Sequence, residues 1–393
     1  MSCRKVMEDI YSVGAIDWNR RLFDELIPLP GGTSYNSYVI EGSESRALID
    51  TVEKSYSEEL LRNLDKLDVD QLDYIVSNHS EQDHSGALPE VMKAYPEAEI
   101  LTGEKGLEML EKLLHIDTER ITTVKDGEEI SLGDKTLRFY ETPWAHWPET
   151  ISTFIPEKNI LFPCDLFGSH LATSSLFVDD EARTIRAAKR YYAQIMMPYR
   201  LVIDKNVGKL QELDIDMIAP SHGPIYQNPE LIMSAYEEWI NGPLEPEVIV
   251  PYISMHGSTE ELVSHFVDEL MSRGVKVKPF NLREVELGSL AMALVQAAAV
   301  VVGSPTVLGG PHPKVSYAVT LANALNPRTK YASIIGSCGW GGNMVDQITG
   351  SLDKVNPEII DPVLSKGKGG EENFAEIERL AEEIGEKLAE LSV

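Results

Sequence analysis

Cysteine, basic charge and long apolar runs are all scarce in this chain of 393 residues. The three cysteines, Cys3, Cys164 and Cys338, are odd in number and far apart, which excludes a disulfide framework and any Cys-x-x-Cys pair for zinc or redox exchange. A reducing, cytoplasmic setting is expected. Lys and Arg number 35 against 63 Asp and Glu, and the formal charge of -28 repels phosphate backbones and anionic lipid surfaces. Neither nucleic acid nor membrane is therefore expected as a partner. The longest apolar stretch, LAMALVQAAAVVVG at 290–303, is broken by Gln296 and falls short of the roughly 20 residues that span a bilayer. It reads as a helix end feeding a buried strand. The opening, MSCRKVMEDIYSVGAIDWNRR, lacks the apolar core of a signal peptide, so export is not expected.

What is present is the composition of a folded protein, 43% hydrophobic and 25% charged, in a chain long enough for two or three domains. Up to about residue 245 the runs IYSVGAI, YNSYVIEG, RALIDTV, LDYIVSN, EAEILTG, TLRFYET, NILFP and MIAP read as strands. The segments EELLRNLDKL and GLEMLEKLL between them have helical spacing, so this half is mixed α and β. NGPLEPE at 241–247 reads as a connector. From Val248 strands and helices alternate: VIVPYIS, TEELVSHFVDELMSR, VKVKPFN, SLAMALVQA, AVVVGSP, KVSYAVTLANAL, YASIIGS and MVDQITGSL. That alternation predicts a parallel, doubly wound sheet. The closing ENFAEIERLAEEIGEKLAELSV is an amphipathic helix with Ile377, Leu380, Ile384 and Leu388 on one face. The expected domains are residues 1–245 and 246–393.

The densest chemistry is SNHSEQDHSG at 77–86, which follows the buried run LDYIVSN. In an extended loop His79, Glu81 and Asp83 point the same way, and His84 opens the next turn. A metal site is the reading this density favours, and a purely structural cluster is the alternative. His146 in ETPWAHWPET, Asp165 in LFPCDLFGSH and His222 in IAPSHGPI each follow a short apolar strand. Any one of them alone is more often a satisfied polar group, but strand ends at one sheet edge converge in space. Three carboxylates and four imidazoles form an oxygen-rich set that suits iron or manganese better than structural zinc.

In the second half, SMHGSTEEL at 254–262 follows a strand and opens a helix, where backbone N–H groups and the hydroxyls of Ser254, Ser258 and Thr259 can surround a phosphate. Ordinary helix capping is the alternative. The loops GSPTVLGGPHP at 303–313 and GSCGWGGN at 336–343 fall at later strand ends, where doubly wound sheets bind ligands. No Gly-x-Gly-x-x-Gly opens this domain, which disfavours NAD and FAD.

His-x-Glu-x-Asp-His, a later His, an Asp after a strand and a Ser-His-Gly together resemble the metallo-β-lactamase fold in its flavodiiron version, and the three loops resemble flavodoxin-like domains. The resemblance covers nearly the whole chain. It implies an N-terminal αββα sandwich and a C-terminal flavodoxin-like sheet. By resemblance His79, Glu81 and His146 hold one iron, Asp83, His84 and His222 the other, and Asp165 bridges them. The fold's hydrolases carry His where Glu81 stands, and bind zinc. Asp50 in RALIDTV matches an aspartate that supports the ligand loop. FMN is expected on Ser254, Met255, His256, Gly257, Ser258 and Thr259 at its phosphate. Ser304, Pro305, Thr306, Val307 and Leu308, with Ser337, Cys338, Gly339, Trp340 and Gly341, are expected beside its ring. His256 has solvent exposure as its plain alternative, and Trp340 a partly buried turn. His170, Tyr191 and Tyr192 are candidate proton donors with packing roles as alternatives, and His115 and His265 read as surface or core residues.

The implied reaction is reduction of dioxygen to water or of nitric oxide to nitrous oxide. Electrons would come from a separate donor such as a rubredoxin or a reduced deazaflavin, because these cysteines cannot build a rubredoxin iron site. The family also implies a head-to-tail homodimer, or a dimer of such dimers. A zinc hydrolase on the same fold and a flavin electron carrier are the rival readings.

Overall fold

Strands Tyr38–Glu41, Arg46–Ile49, Tyr74–Val76 and Glu99–Gly103 are apolar on both faces, and successive residues enter opposite cores. Tyr38, Ile40, Ala47, Ile49, Val76 and Leu101 pack into one core, whereas Val39, Leu48, Ile75 and Ile100 pack into the other. A computed structural model describes residues 3–391. The chain divides into two compact units, Met1–Ile240 and Asn241–Val393.

In the first unit a seven-stranded sheet runs in the order Arg4–Met7, Ile10–Ser12, Tyr38–Glu41, Arg46–Ile49, Tyr74–Val76, Glu99–Gly103, Ile121–Val124. Its last three neighbour pairs are parallel and the others antiparallel. A five-stranded sheet runs Glu129–Ser131, Thr136–Glu141, Ile151–Ile155, Ile160–Phe162, Met217–Ile218. Leu137, Phe139, Ile155 and Phe162 of this second sheet share a core with Ile40, Ile49 and Leu101 of the first. Leu60 and Leu64, Leu88 and Val91, and Leu110 cover the other face of the first sheet from helices Ser57–Asp65, Leu88–Ala94 and Glu104–Leu114. This is the metallo-β-lactamase-like sandwich.

Two expected strands are each divided. IYSVGAI gives Ile10–Ser12 and Ala15–Asp17, because Gly14 passes so close to the neighbouring chain that a Cβ there would lie 2.1 Å from the Tyr35 carbonyl oxygen. YNSYVIEG likewise gives Thr33–Tyr35 and Tyr38–Glu41, and the two outer halves, Ala15–Asp17 and Thr33–Tyr35, pair in a small sheet of their own.

In the second unit the strands Lys276–Asn281, Glu245–Tyr252, Ala297–Val307, Tyr331–Cys338 and Glu358–Ile359 lie side by side, all parallel. Val363–Lys366 continues the last position beside Tyr331–Cys338. Numbered along this unit, the order is 2-1-3-4-5, the flavodoxin-like arrangement. The expected connector at 241–247 is shorter than its prolines and glycine imply: the first strand begins at Glu245, and Pro246 is accommodated where the pairing with Ala297–Val307 shifts register. Glu247 is buried and paired with Lys278 at 2.8 Å. The C-terminal helix is Glu371–Glu390, with Ile377, Leu380, Ile384 and Leu388 buried as expected; Ser392 and Val393 lie outside the described residues. Among the described residues no helix is long and apolar enough to cross a membrane.

Phe139 is almost fully buried between the two sheets of the first unit. Phe139→Ala is expected to lower the stability of that unit by about 3–5 kcal/mol. Denaturant unfolding followed by tryptophan fluorescence checks this, since four of the five tryptophans (Trp18, Trp144, Trp147 and Trp239) lie in the first unit.

Candidate functional site

The sandwich delivers five loops to one edge. Asp50 follows strand Arg46–Ile49, and residues 77–85 follow Tyr74–Val76. Residues 142–150 join two antiparallel strands, residues 163–165 follow Ile160–Phe162, and residues 219–223 follow Met217–Ile218. The seven expected ligand residues converge there. One ligand atom from each of His79, Glu81, His146 and Asp165 lies within 4.8 Å of the others, and the same holds for Asp83, His84 and His222.

Asp165 divides its carboxylate between the two groups. Its Oδ2 is 3.5 Å from His79 Nε2 and 3.6 Å from His146 Nε2, whereas its Oδ1 is 3.0 Å from His84 Nε2 and 3.4 Å from His222 Nε2. Within the first group, Glu81 Oε2 is 3.2 Å from His79 Nε2 and 3.0 Å from His146 Nε2. Within the second, Asp83 places Oδ1 3.3 Å from His84 Nε2 and Oδ2 3.1 Å from His222 Nε2. Among the described residues both Asp83 oxygens, His84 Nε2 and Asp165 Oδ2 are buried with imidazole or carboxylate atoms at 3.0–3.6 Å but without a well-aligned hydrogen bond. Buried polar atoms are seldom left so, and here they face one small volume. An oxygen-rich set of three carboxylates and four imidazoles with orphaned donor atoms fits a pair of hard or borderline cations.

The electrostatics follow from that packing. Burial alone pulls the His84 imidazolium down, but the charges of Asp83 and Asp165 outweigh it and lift it to about 9. His79 is raised well above its ordinary value because its hydrogen bonds to Glu149 and Glu81 overcome burial. Burial pushes Asp165 up, yet His84, His79 and His222 together hold it well below the usual carboxylate range. Glu81 is lowered in the same way, by His146 and His79 against burial.

Several residues that hold the site were not among the expected ones. Glu149 Oε1 accepts hydrogen bonds from His79 Nδ1 at 2.8 Å and from the Ser80 N–H at 3.0 Å. The Ser34 carbonyl accepts from His222 Nδ1 at 2.6 Å. Asp24, raised to about 6 by burial and by the charges of Glu81 and Asp83, hydrogen-bonds Glu81 from the loop between strands Leu22–Phe23 and Ile27–Pro28. Glu149 had one sequence signal, its place three residues after His146; the others had none. Asp50 does support the ligand loop: its Oδ1 accepts the Asn78 N–H at 2.8 Å and its Oδ2 the Asn78 side-chain amide at 2.9 Å.

Asp50, Trp144, Cys164 and Phe167, none of them glycine, hold φ between 52° and 69° in these same loops. Left-handed non-glycine residues cluster where surrounding structure over-determines them, commonly at functional sites. Gly223 has φ +82°, and a Cβ there would lie 2.1 Å from Ser169 Oγ, so the turn carrying His222 requires glycine.

His170 and Tyr191 lie beside the second group. The His170 ring is 4.5 Å from that of His222 and 4.9 Å from that of Tyr191, and the Tyr191 hydroxyl hydrogen-bonds Asp165. Tyr192 instead packs against Tyr236 and Trp239. His115 caps helix Glu104–Leu114 in a left-handed conformation, and His265 sits on helix Ser258–Ser272.

In the second unit an open cleft of about 300 Å³ is lined by Ser254, Met255, His256, Ser258, Thr259, Pro305, Thr306, Ser337, Cys338, Gly339 and Trp340, with Gly367 added from the turn after Val363–Lys366. Its size is that of a small-molecule site. It opens beside the first and third strands of the unit, where the direction of sheet winding reverses. Thr259 Oγ1 and Ser337 Oγ are 2.9 Å apart across its floor. Gly257, Ser304, Val307, Leu308 and Gly341 do not line it. Ser304 is buried, its hydroxyl accepting the His312 N–H at 3.0 Å, and Leu308 is fully exposed on its turn.

Fold and site thus define a metallo-β-lactamase-like unit with two adjoining groups of candidate metal ligands, joined in one chain to a flavodoxin-like unit. A family model described as "ODP family beta lactamase" matches residues 33–223. The nitric oxide reductase of Moorella thermoacetica is 37% identical over 363 residues, 90% of each chain. The coenzyme F420H2 oxidase of Methanothermobacter marburgensis is 33% identical over 355 residues, 87% of each chain. The solved rubredoxin oxygen:oxidoreductase of Desulfovibrio gigas superposes with a TM-score of 0.96 at 30% identity, over the whole of both chains. The chain belongs to the flavodiiron protein family and is an oxidoreductase of that family.

A pH dependence follows. Because the folded-state value of His84 lies above its unfolded value of 6.5, its contribution is complete below pH 6.5 and is lost as pH rises through about 9. Chelator-stripped protein is therefore expected to lose about 3 kcal/mol of stability over that window, counting 1.36 kcal/mol per pH unit. Metal-loaded protein loses much less, since cations replace the protons. Denaturant midpoints of both forms at pH 6 and pH 9 test this; equal midpoints for the stripped form at the two pH values refute it.

Proposed function

We propose that the protein reduces dioxygen to water or nitric oxide to nitrous oxide at a dinuclear iron centre, with electrons relayed by FMN from a separate donor. The observation that carries this reading is the divided carboxylate of Asp165, one oxygen turned to each group of ligands. In it, His79, Glu81 and His146 would hold one iron and Asp83, His84 and His222 the other, with Asp165 offering one oxygen to each group. When bound, the iron pair supplies a position for the diatomic gas and two electrons, and reduced FMN supplies two more, four in all for dioxygen and more than the two that nitric oxide coupling needs.

The chain's own residues serve the remaining needs. Glu149, the Ser34 carbonyl and Asp50 hold ligand rings and loop in place. Burial keeps the Tyr191 hydroxyl protonated well above its ordinary range, so a proton is held beside Asp165. Burial likewise keeps His170 neutral, with its Nδ1 2.9 Å from Thr33 Oγ1. In the cleft, Ser254, Ser258 and Thr259 would receive the FMN phosphate at the start of helix Ser258–Ser272, and Trp340 would be available to its ring.

We assign the donor to the rubredoxin or reduced deazaflavin class that the relatives' names carry. The working form in this reading is a head-to-tail homodimer, which pairs one chain's flavin cleft with the other's metal pocket. Apolar side chains exposed on each unit support it: Trp144, stacked on Tyr199, and Leu201 in the first unit, and Met255, Leu308 and Trp340 in the second.

Protein prepared with sufficient iron is expected to hold two irons and one FMN per chain. Anaerobic stopped-flow mixing of the reduced protein with each gas reads oxidation of both centres. Glu81→Gln and His146→Ala are expected to lower gas consumption at least 100-fold, beyond the 10–100-fold typical of groups that only support a ligand. Two zinc ions with lactam or thioester hydrolysis would instead establish the hydrolase, and gas consumption unchanged in both variants the flavin carrier.

A further inference from the structure

The two halves of the ligand pocket are matched in their inner donors: each has two imidazoles, one carboxylate of its own and one oxygen of Asp165. Behind these donors they differ. His79 Nδ1–H donates to Glu149 Oε1 at 2.8 Å, and both side chains are fully buried. The corresponding nitrogen of His222 donates at 2.6 Å to a neutral group, the Ser34 carbonyl. His84 Nδ1 is buried with no hydrogen-bond partner among the described residues.

The other carboxylates nearby do not remove the difference. Asp50 is a second buried carboxylate, and its charge acts on His84 more than on His79, but both its oxygens accept from Asn78, at 2.8 and 2.9 Å, and among the described residues it hydrogen-bonds no ligand imidazole. Asp24 reaches Glu81, on the His79 side again, but from an exposed loop where water screens it. Glu149 is thus a buried negative charge coupled through one imidazole to one half of the pocket. A carboxylate behind a metal-bound imidazole fixes its tautomer and raises its basicity. At low dielectric its charge also acts with little screening.

We propose that Glu149 is a positioning residue that makes the two metal positions unequal, so that the cation held by His79, Glu81 and His146 is bound more tightly and is the first to be oxidised. This rests on the dinuclear iron reading above. When a one-electron oxidant removes a single electron from the diferrous pair, the ferric ion then lies on the His79 side and the ferrous ion on the His222 side. Glu149 touches neither substrate nor metal and acts only through His79.

The test compares the full-length, iron- and FMN-loaded protein with Glu149→Gln and Glu149→Ala. Glu149→Gln keeps an acceptor for His79 and Ser80 and removes only the charge, so a folding defect in the alanine variant does not leave the question open. Iron and flavin content, iron release to a chelator, and the two one-electron potentials from a redox titration followed by electron paramagnetic resonance are measured. In the wild type, chelator is expected to remove one iron well before the other. In Glu149→Gln flavin content is unchanged, the more slowly released iron becomes 10–100-fold easier to remove, and the first oxidation step moves to higher potential while the second stays, narrowing their gap. Equal displacement of both potentials, or none, with wild-type iron release overturns the proposal. Wild-type protein without iron would overturn the functional reading instead.

Discussion

Burial of three carboxylates and four imidazoles at one point is the constraint around which the first unit is built. Of the seven, His146 is the most open, at 14% side-chain exposure, and the others are nearly closed to solvent. An isolated buried charge costs several kcal/mol, and a buried pair repays this only where geometry and further hydrogen bonds are good. The pocket meets that condition by alternating sign: the closest carboxylate oxygens and imidazole nitrogens face each other at 3.0–3.3 Å. Protons on His79 and His84 supply the positive charge in the bare pocket, and cations supply it when they replace those protons.

An arrangement so costly to disturb must be fixed from several directions, and the fixing bonds come from both sheets. Ile151 of the second sheet donates its N–H to the Asn78 carbonyl of the ligand loop at 2.9 Å. Asp50, at the end of a first-sheet strand, binds Asn78 twice, and Thr51 binds the His84 carbonyl through both its N–H and its hydroxyl. On the far side, the Asn36 side chain donates to the carbonyls of Pro220 and Gly223 at 2.8 Å each, bracketing His222. The divided early strands therefore have a purpose. The break between Thr33–Tyr35 and Tyr38–Glu41 leaves Asn36 free to turn toward the His222 loop, which an unbroken strand through IYSVGAI and YNSYVIEG would not allow.

Legibility in the sequence followed the range of the interactions. His79, Glu81, Asp83 and His84 stand within six positions, so their common purpose was visible locally, and His146, Asp165 and His222 became readable only because each follows a short apolar strand. Glu149 and Ser34 act across 70 and 188 positions, and no local pattern marks a carboxylate or a carbonyl for such a role. Helices Glu181–Tyr191 and Arg200–Leu210 escaped for a different reason. The first has a clear polar face, but its buried positions are Thr184, Ala188 and Tyr191, with no large aliphatic residue to mark them as core. Strand Ile151–Ile155 is buried at every position, with Thr153 satisfied by Asn78 and Ser152 by Thr142, so it never alternates polar with apolar residues. The second unit was easier, since parallel strands buried on both faces read as continuous apolar runs between amphipathic helices.

The two sites face opposite physical demands. The ligand side chains are nearly closed to solvent, and neighbours already orient their donors. The cleft is open, its floor set by small hydroxyl side chains and its rim by exposed Met255 and Trp340. An open rim lets a bound ring come close to a macromolecule or a second flavin, as electron exchange requires. The charge of -28 then acts on the traffic rather than on the chemistry. In the proposed reading neutral gases would be indifferent to it, whereas an anionic donor would approach against repulsion that salt weakens over about 8–10 Å. On that reading donor association would be the step most sensitive to ionic strength, and gas entry the least.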